Sequence, residues 1–219
     1  VVAFGNGAPT ALDGVPVFLF YPDLTGSTGE STSADLSRAV RISANAGAIF
    51  EGLRKDGPLD IVGDQAREWL QLPNPHGKSN ANVLFPLING MDITRRPRDG
   101  WVIDTGEALT EQEAALYEAP FQHITCHVKP IRLENNDRIR RTFWWRFGRN
   151  GEQLRASLAP LRRYINTPRV SKHRLFVWQK MPSIPDTATV AIARADDTTF
   201  GILHSRFHEL WSLRKGTSL

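Results

Sequence analysis

Cys126 is the single cysteine among 219 residues. No disulfide framework can form within the chain, and such usage fits a reducing cytoplasm. Also missing is any apolar run near the roughly 18 residues that a membrane span needs. The first ten residues, "VVAFGNGAPT", lack the basic n-region of a secretion signal. These absences lead us to expect a cytoplasmic chain with no membrane partner. At 24.5 kDa, with 41% hydrophobic and 23% charged residues, it has the length and composition to bury a real core.

Both ends read as cut. "VVAFGNGAPT" begins inside a strand-like run, and "RKGTSL" follows a helical pattern directly. The expectation is a fragment of a longer chain. Charge is unevenly placed. Residues 129 to 174 hold 13 Lys and Arg against 3 acidic residues, a local surplus of ten; with +4 for the whole chain, the remainder is −6. A basic segment in a mildly acidic body is the footprint of a polyanion partner. The competing reading is that these arginines pair with carboxylates from elsewhere.

The pattern mixes strands and helices. "VVAF" and "VPVFLF" read as strands, residues 22 to 33 as a flexible loop, and a short helix is expected from Asp35. A strand over Ala48 to Leu53, the turn "RKDGPLD" and a helix over Asp64 to Leu70 follow. "NVLFPLI" and "GWVID" frame a loop carrying Arg95, Arg96 and Arg98. Thr110 and Glu113 make a capping box, and Pro120 suits the first turn of a second helix. "EQLRASLAPL" reads as a helix. "RLFVWQ" and "TVAIAR" read as strands joined by the loop "KMPSIPD". A last helix is expected from Phe200 to Lys215, with Phe200, Leu203, Phe207, Leu210 and Trp211 on one face. The sum is one α+β domain, of one lobe or two, with twisted mixed sheets and flanking helices.

Motifs for chemistry are mostly lacking. Gly5 and Gly7 sit in a hairpin-like turn rather than a donor-binding one. Asn74-Pro75-His76-Gly77 lacks the second proline and the aromatic of a base-flipping methyltransferase loop and reads as an ordinary loop. His123, Cys126 and His127 could contribute to a zinc site, but a fourth ligand is wanting. His204 and His208 share a helical face without the H-E-x-x-H order. No catalytic and no metal residues are assigned.

Longer stretches carry a resemblance. "LPNPHGKSNANVLFPLINGMDITRRPRDGWVIDTG", "EAALYEAPF", "HVKPIR", "RRTFWWRF", "RYINTPRVSKHRLFVW" and "DDTTFGILHSRFHELWSLRKGTS" occur in this order. Together, from about Asp13 to the end, they resemble the target recognition domain of MmeI-like restriction–modification enzymes, which include YeeA-like methyltransferases. The resemblance implies that residues 1–219 are the DNA specificity module of an S-adenosylmethionine-dependent adenine-N6 DNA methyltransferase used in phage defence. Such parents often carry an N-terminal nuclease, which needs Mg2+. The fragment itself would hold no cofactor, and its partners would be double-stranded DNA and the methyltransferase domain of the same parent chain.

The resemblance also sorts the cations. Residues in shared motifs suit phosphate positioning or bracing, because members read different targets: Arg95, Arg96, Arg98, Lys172, His173, Arg174, Ser205 and Arg206. Base readers are expected where the motifs lapse, with Arg138, Arg140, Arg141 and Lys180 as candidates. Trp144 and Trp145 read as apolar anchors. The alternative is an RNA- or single-strand-binding module that stacks bases on Trp144, Trp145 and His173. A third, a zinc enzyme around His123 and Cys126, would be revived by stoichiometric metal.

Overall fold

The computed structural model describes residues 2–3, 11–12, 15–17, 19–20, 26–27, 40 and 42–215. The chain divides into two compact units, Val1–Ala46 and Gly47–Leu219. In the first, β1 (Val2–Ala3), β2 (Ala11–Leu12) and β3 (Val15–Pro16) form an antiparallel sheet in that order, and β4 (Leu19–Phe20) pairs with β5 (Gly26–Ser27). The run "VPVFLF" is thus split between two sheets, and β5 falls where only a loop is expected. The Gly5–Gly7 turn and the helix from Asp35 lie outside the described residues.

The second unit is α+β and holds two four-stranded sheets. One has the order β11 (Val177–Lys180), β10 (Arg163–Pro168), β13 (Thr189–Ile192), β6 (Ile49–Glu51), all antiparallel. The other has the order β12 (Ile184–Pro185), β8 (Leu84–Ile88), β9 (Gly100–Ile103), β7 (Asp60–Val62). Only its β12–β8 pair is parallel.

The sequence "KMPSIPD", expected to be a plain loop, is what laces the sheets together. The chain leaves β11, adds β12 to the edge of the second sheet, and returns to the first as β13. Backbone bonds fix the crossing: Leu53 N–H donates to Pro185 O, Asp186 N–H to Ile88 O and Gly52 N–H to Thr189 O. The approach leaves no room for a side chain at residue 52, where a Cβ would sit 2.1 Å from Asp186 O. The Asp186 carboxylate accepts from Asn89 Nδ2 and Ala188 N and pairs with Lys55 at 3.2 Å.

Helices cover these sheets. They are α1 (Gly63–Leu70), α2 (Gly90–Thr94), α3 (Glu111–Ala115), α4 (Glu118–His127), α5 (Lys129–Leu133), α6 (Arg138–Thr142), α7 (Glu152–Leu158), α8 (Asp197–Leu203) and α9 (Arg206–Lys215). The capping box at Thr110 forms as its spacing predicts. Leu59, Val102, Ile103, Ile124, Val128 and Ile165 are essentially sealed from solvent; each such side chain contributes about 1.5–3 kcal/mol relative to exposure. Tyr164 is buried with them, its hydroxyl 3.2 Å from Ser183 Oγ. Burial pushes its phenol up to about 12.

Three expectations change. The sequence pattern predicts no strand at β10, "RYINTP", because polar Asn166 and Thr167 interrupt its apolar run; yet it is one of the two inner strands of its sheet, and Asn166 is fully buried. The loop carrying the arginines contains the helix α2, started by a second capping box from Asn89 and Asp92. The last helix is two, broken at His204 and Ser205, and its supposed core stripe is open: Phe207 is 87% exposed. Phe200 instead stacks on Trp178, with ring centres 4.8 Å apart.

Candidate nucleic-acid interface

The arginine turn follows α2, and its three charges are not equivalent. Arg98 grips Asp92: Nε donates to Oδ1 at 3.0 Å, Nη2 to Oδ2 at 3.2 Å, and the Arg98 N–H to Oδ1 at 2.9 Å. Burial pushes the Asp92 carboxyl up, but these bonds and the Asn89 N–H outweigh it and hold its pKa below the usual value. The same capping carboxylate therefore starts α2 and closes the turn. Arg95 and Arg96 are exposed and have no ionic partner among the described residues. The turn presents two free guanidiniums on a braced base, not three.

The basic segment, 129 to 174, divides more sharply. Carboxylates from outside it take five of its cations: Lys129 pairs with Glu111, Arg140 with Asp56, Arg155 with Asp104, Arg163 with Asp197 and Arg169 with Glu51. Arg132 is 1% exposed, its Nη2 donating to the carbonyls of Lys55 and Arg146. Arg146 donates to Leu109 O and lies over the Phe143 ring. Arg138, Arg141, Arg149, Arg162, Lys172 and Arg174 remain exposed without an ionic partner among the described residues. Seven of the thirteen cations are therefore held by the protein itself, as the competing reading expects, and six are exposed.

For the expected base readers the placement is mixed. Arg138 and Arg141, on α6, are exposed, whereas Arg140 between them points back to Asp56 and to Asp137 at 3.3 Å. Arg140, expected among the base readers, is thus tied to two carboxylates of the protein: at helical spacing, one of three neighbours turns inward. Lys180 is exposed at the end of the edge strand β11.

The structure sets the framework residues 172–174 against α8 and α9, the helices that flank Ser205 and Arg206. Lys172, His173 and Arg174 line an open cleft of about 370 Å3 with Leu203, His204, Glu209 and Leu213. Ser205 forms the bend between α8 and α9, its Oγ accepting from His208 N. Arg206 is held by Glu209 at 2.8 Å, an exposed pair worth little. Gly90 at the start of α2 lies against Ala188 O, which also accepts from the Arg169 N–H. The arginine turn and the 169–174 segment thus leave one corner of the sheets.

A neighbouring pair escaped the sequence reading. Arg54 and Arg149 are bridged through their backbones, are both exposed, and line a smaller cleft with Gly151 and Thr187. Their separation by 95 positions hides the pairing from any local pattern.

The remaining candidates read as structure. Trp144 and Trp145 are 3% and 6% exposed, and Trp145 Nε1 donates to Leu109 O. Neither offers a ring face to a base, so the single-strand reading loses two of its three platforms and keeps His173. His123 is wedged between Trp69 and His127, with ring centres 5.8 and 4.5 Å away. Burial foremost, then the charge of His127, lowers its pKa against a backbone hydrogen bond with Pro58. No group of three His, Cys, Asp or Glu side chains arranged for a metal occurs among the described residues. Asn74 serves as a clamp: Nδ2 donates to Lys78 O and Asn80 Oδ1, and Oδ1 accepts from Glu118 N. No described helix is long and apolar enough to cross a membrane.

No protein-family model and no curated protein matches the chain. Its α+β architecture, two laced sheets under short helices, has a counterpart among solved structures. The chain is similar to the Type IIL restriction-modification enzyme MmeI, solved in complex with DNA and described as having implications for engineering new specificities. The TM-score is 0.60 at 16% identity, covering 78% of this chain and 22% of that one. The likeness is one of fold, and this chain spans about a fifth of that chain's length.

Proposed function

We propose that this chain is the duplex-DNA recognition module of a larger restriction–modification protein. In this reading the parent is an S-adenosylmethionine-dependent adenine-N6 methyltransferase, and the module is non-catalytic and works with the methyltransferase domain of the same chain in a bacterial cytoplasm. One observation carries the proposal: 78% of the chain shares its fold with an enzyme solved on DNA whose specificity is a matter for engineering. The free cations support it. Arg95 and Arg96 stand on a turn braced by Asp92, and Lys172 and Arg174 on a segment from the same corner. Such charges suit phosphates, which set register, while the exposed Arg138 and Arg141 suit the guanine edge.

Fluorescence anisotropy with a labelled oligonucleotide tests this. At low salt a duplex should bind more tightly than either strand alone or a single-stranded RNA of the same length. Tighter binding of the RNA at equal salt would replace this reading by the single-strand one. Calorimetry should find no saturable uptake of S-adenosylmethionine by these 219 residues; uptake would put a donor site in this part of the protein.

A further inference from the structure

The cleft between α6 and residues 143–150 has chemistry that the interface above does not use. Arg132, Arg140 and Arg146 all line it, with Glu107, Ile139, Phe143 and Asn150 around them, and it encloses about 390 Å3. Each guanidinium is held on one side by the protein: Arg132 by two carbonyls, Arg140 by Asp56 and Asp137, Arg146 by Leu109 O. Arg132 Nε and Nη1 and Arg146 Nε are buried donors without a hydrogen-bond acceptor, while Arg140 Nε faces Asp137 Oδ2 at 3.3 Å without a well-formed hydrogen bond. A buried donor with no acceptor is costly, and for a charged group more so. Burial works most strongly against the charge of Arg132; Asp56 supports it, the nearby Arg140 opposes it and Asp137 supports it. Arg132 itself is only 1% exposed. Asn150 Oδ1, buried as well, lacks a donor.

We infer that this cleft binds a phosphoryl group, which would accept from the unpartnered donors of Arg132 and Arg146 beside the charge of Arg140. The inference deepens the recognition reading by supplying a fixed phosphate anchor beside the readers on α6, and it rests on that reading only for the source of the phosphate. Planar guanidiniums held by backbone carbonyls and carboxylates are pre-oriented, so little entropy is lost when the anion arrives. Phosphate from a nucleic-acid backbone and phosphate of a small molecule offer the same oxygens, and two measurements tell them apart.

Inorganic phosphate titrated calorimetrically into the protein at low chloride should bind saturably. Arg140→Gln should weaken it roughly tenfold, the loss expected for a charge-assisted hydrogen bond. Arg132→Met should weaken it at least as much if it folds; Arg140→Gln, on a half-exposed helix, decides the matter if it does not. In parallel, the salt slope of duplex binding should fall by about 0.9 for Arg140→Gln if the anion is a backbone phosphate. An unchanged slope together with weakened phosphate binding assigns the site to a small phosphorylated ligand and leaves the anion cleft standing. No saturable binding of millimolar phosphate, or equal binding by folded Arg140→Gln, overturns the cleft. Duplex binding by the wild type in that case keeps the recognition reading, whereas phosphate binding without any duplex binding removes the reading and keeps the cleft.

Discussion

The arginine turn at 95–98 and the basic segment at 129–174 look alike as strings of positive residues, and the fold uses them in opposite ways. In the turn, one arginine of three is tied down, by Asp92, and two stand free. In the segment, carboxylates brought from Glu51, Asp56, Asp104, Glu111 and Asp197 take five cations, and Arg132 and Arg146 are held by carbonyls. Local net charge counts residues; the field at the surface counts only those whose partners are water. A surplus of ten in sequence is therefore a much smaller surplus facing a ligand.

The comparison breaks most visibly in stability. Arg155→Ala leaves the Asp104 carboxylate, whose side chain is 1% exposed, without its partner at 2.6 Å. Removing one member of a buried pair costs about 3–5 kcal/mol, and the partial exposure of Arg155 puts this one near the lower end. Arg95→Ala and Arg96→Ala should change stability by no more than about 0.5 kcal/mol. Urea denaturation of the three variants checks the contrast. Similar midpoints for all three would mean that segment and turn are equally solvated.

Binding should reverse the order. Arg138→Ala or Arg141→Ala should cost roughly 1–3 kcal/mol on a cognate site and relax one position of the target. Arg96→Ala should weaken cognate and unrelated duplexes alike, lower the salt slope by about 0.9, and leave the target sequence unchanged. Methylation mapping with each substitution in the parent chain separates the roles. A changed target from Arg96→Ala, with an unchanged one from Arg138→Ala and Arg141→Ala, would show them to be exchanged.

Local features were legible in the sequence because their causes are local. The Thr110–Glu113 box, α1, α7 and the strands β8 and β9 follow from spacing and period, and the burial of Trp144 and Trp145 from their apolar bulk. The strand β10 was not legible: Asn166 and Thr167 look like loop residues, and only pairing on both sides makes them a strand. The partners of Arg140 and Arg155 lie 84 and 51 positions away at Asp56 and Asp104. No window of sequence contains such a pair, so the same residues read equally well as ligand-facing. The break at His204 was hidden for a different reason, since an apolar helical period continues across it while the chain turns. The resemblance to an MmeI-like enzyme agrees with the fold likeness, but which cations are tied down and which are exposed depends on partners far away in sequence.

The smallest effect concerns pH and sharpens the comparison from the side of the histidines. His123 is partly buried against Trp69, so its neutral form is favoured in the fold. Its folded pKa lies below the ordinary value of about 6.5, and in the window between the two the unfolded chain binds more protons. Stability from this group is therefore present above about pH 6.5 and is lost as pH falls through that window. Acidification should therefore loosen the fold at His123. Thermal melts from pH 7.5 to about 5.5 should lose stability as pH falls in the wild type and flatten in His123→Gln. An equal slope in the two proteins would show that His123 does not oppose folding when it is protonated, and that its packing against Trp69 sets no pH dependence of the fold.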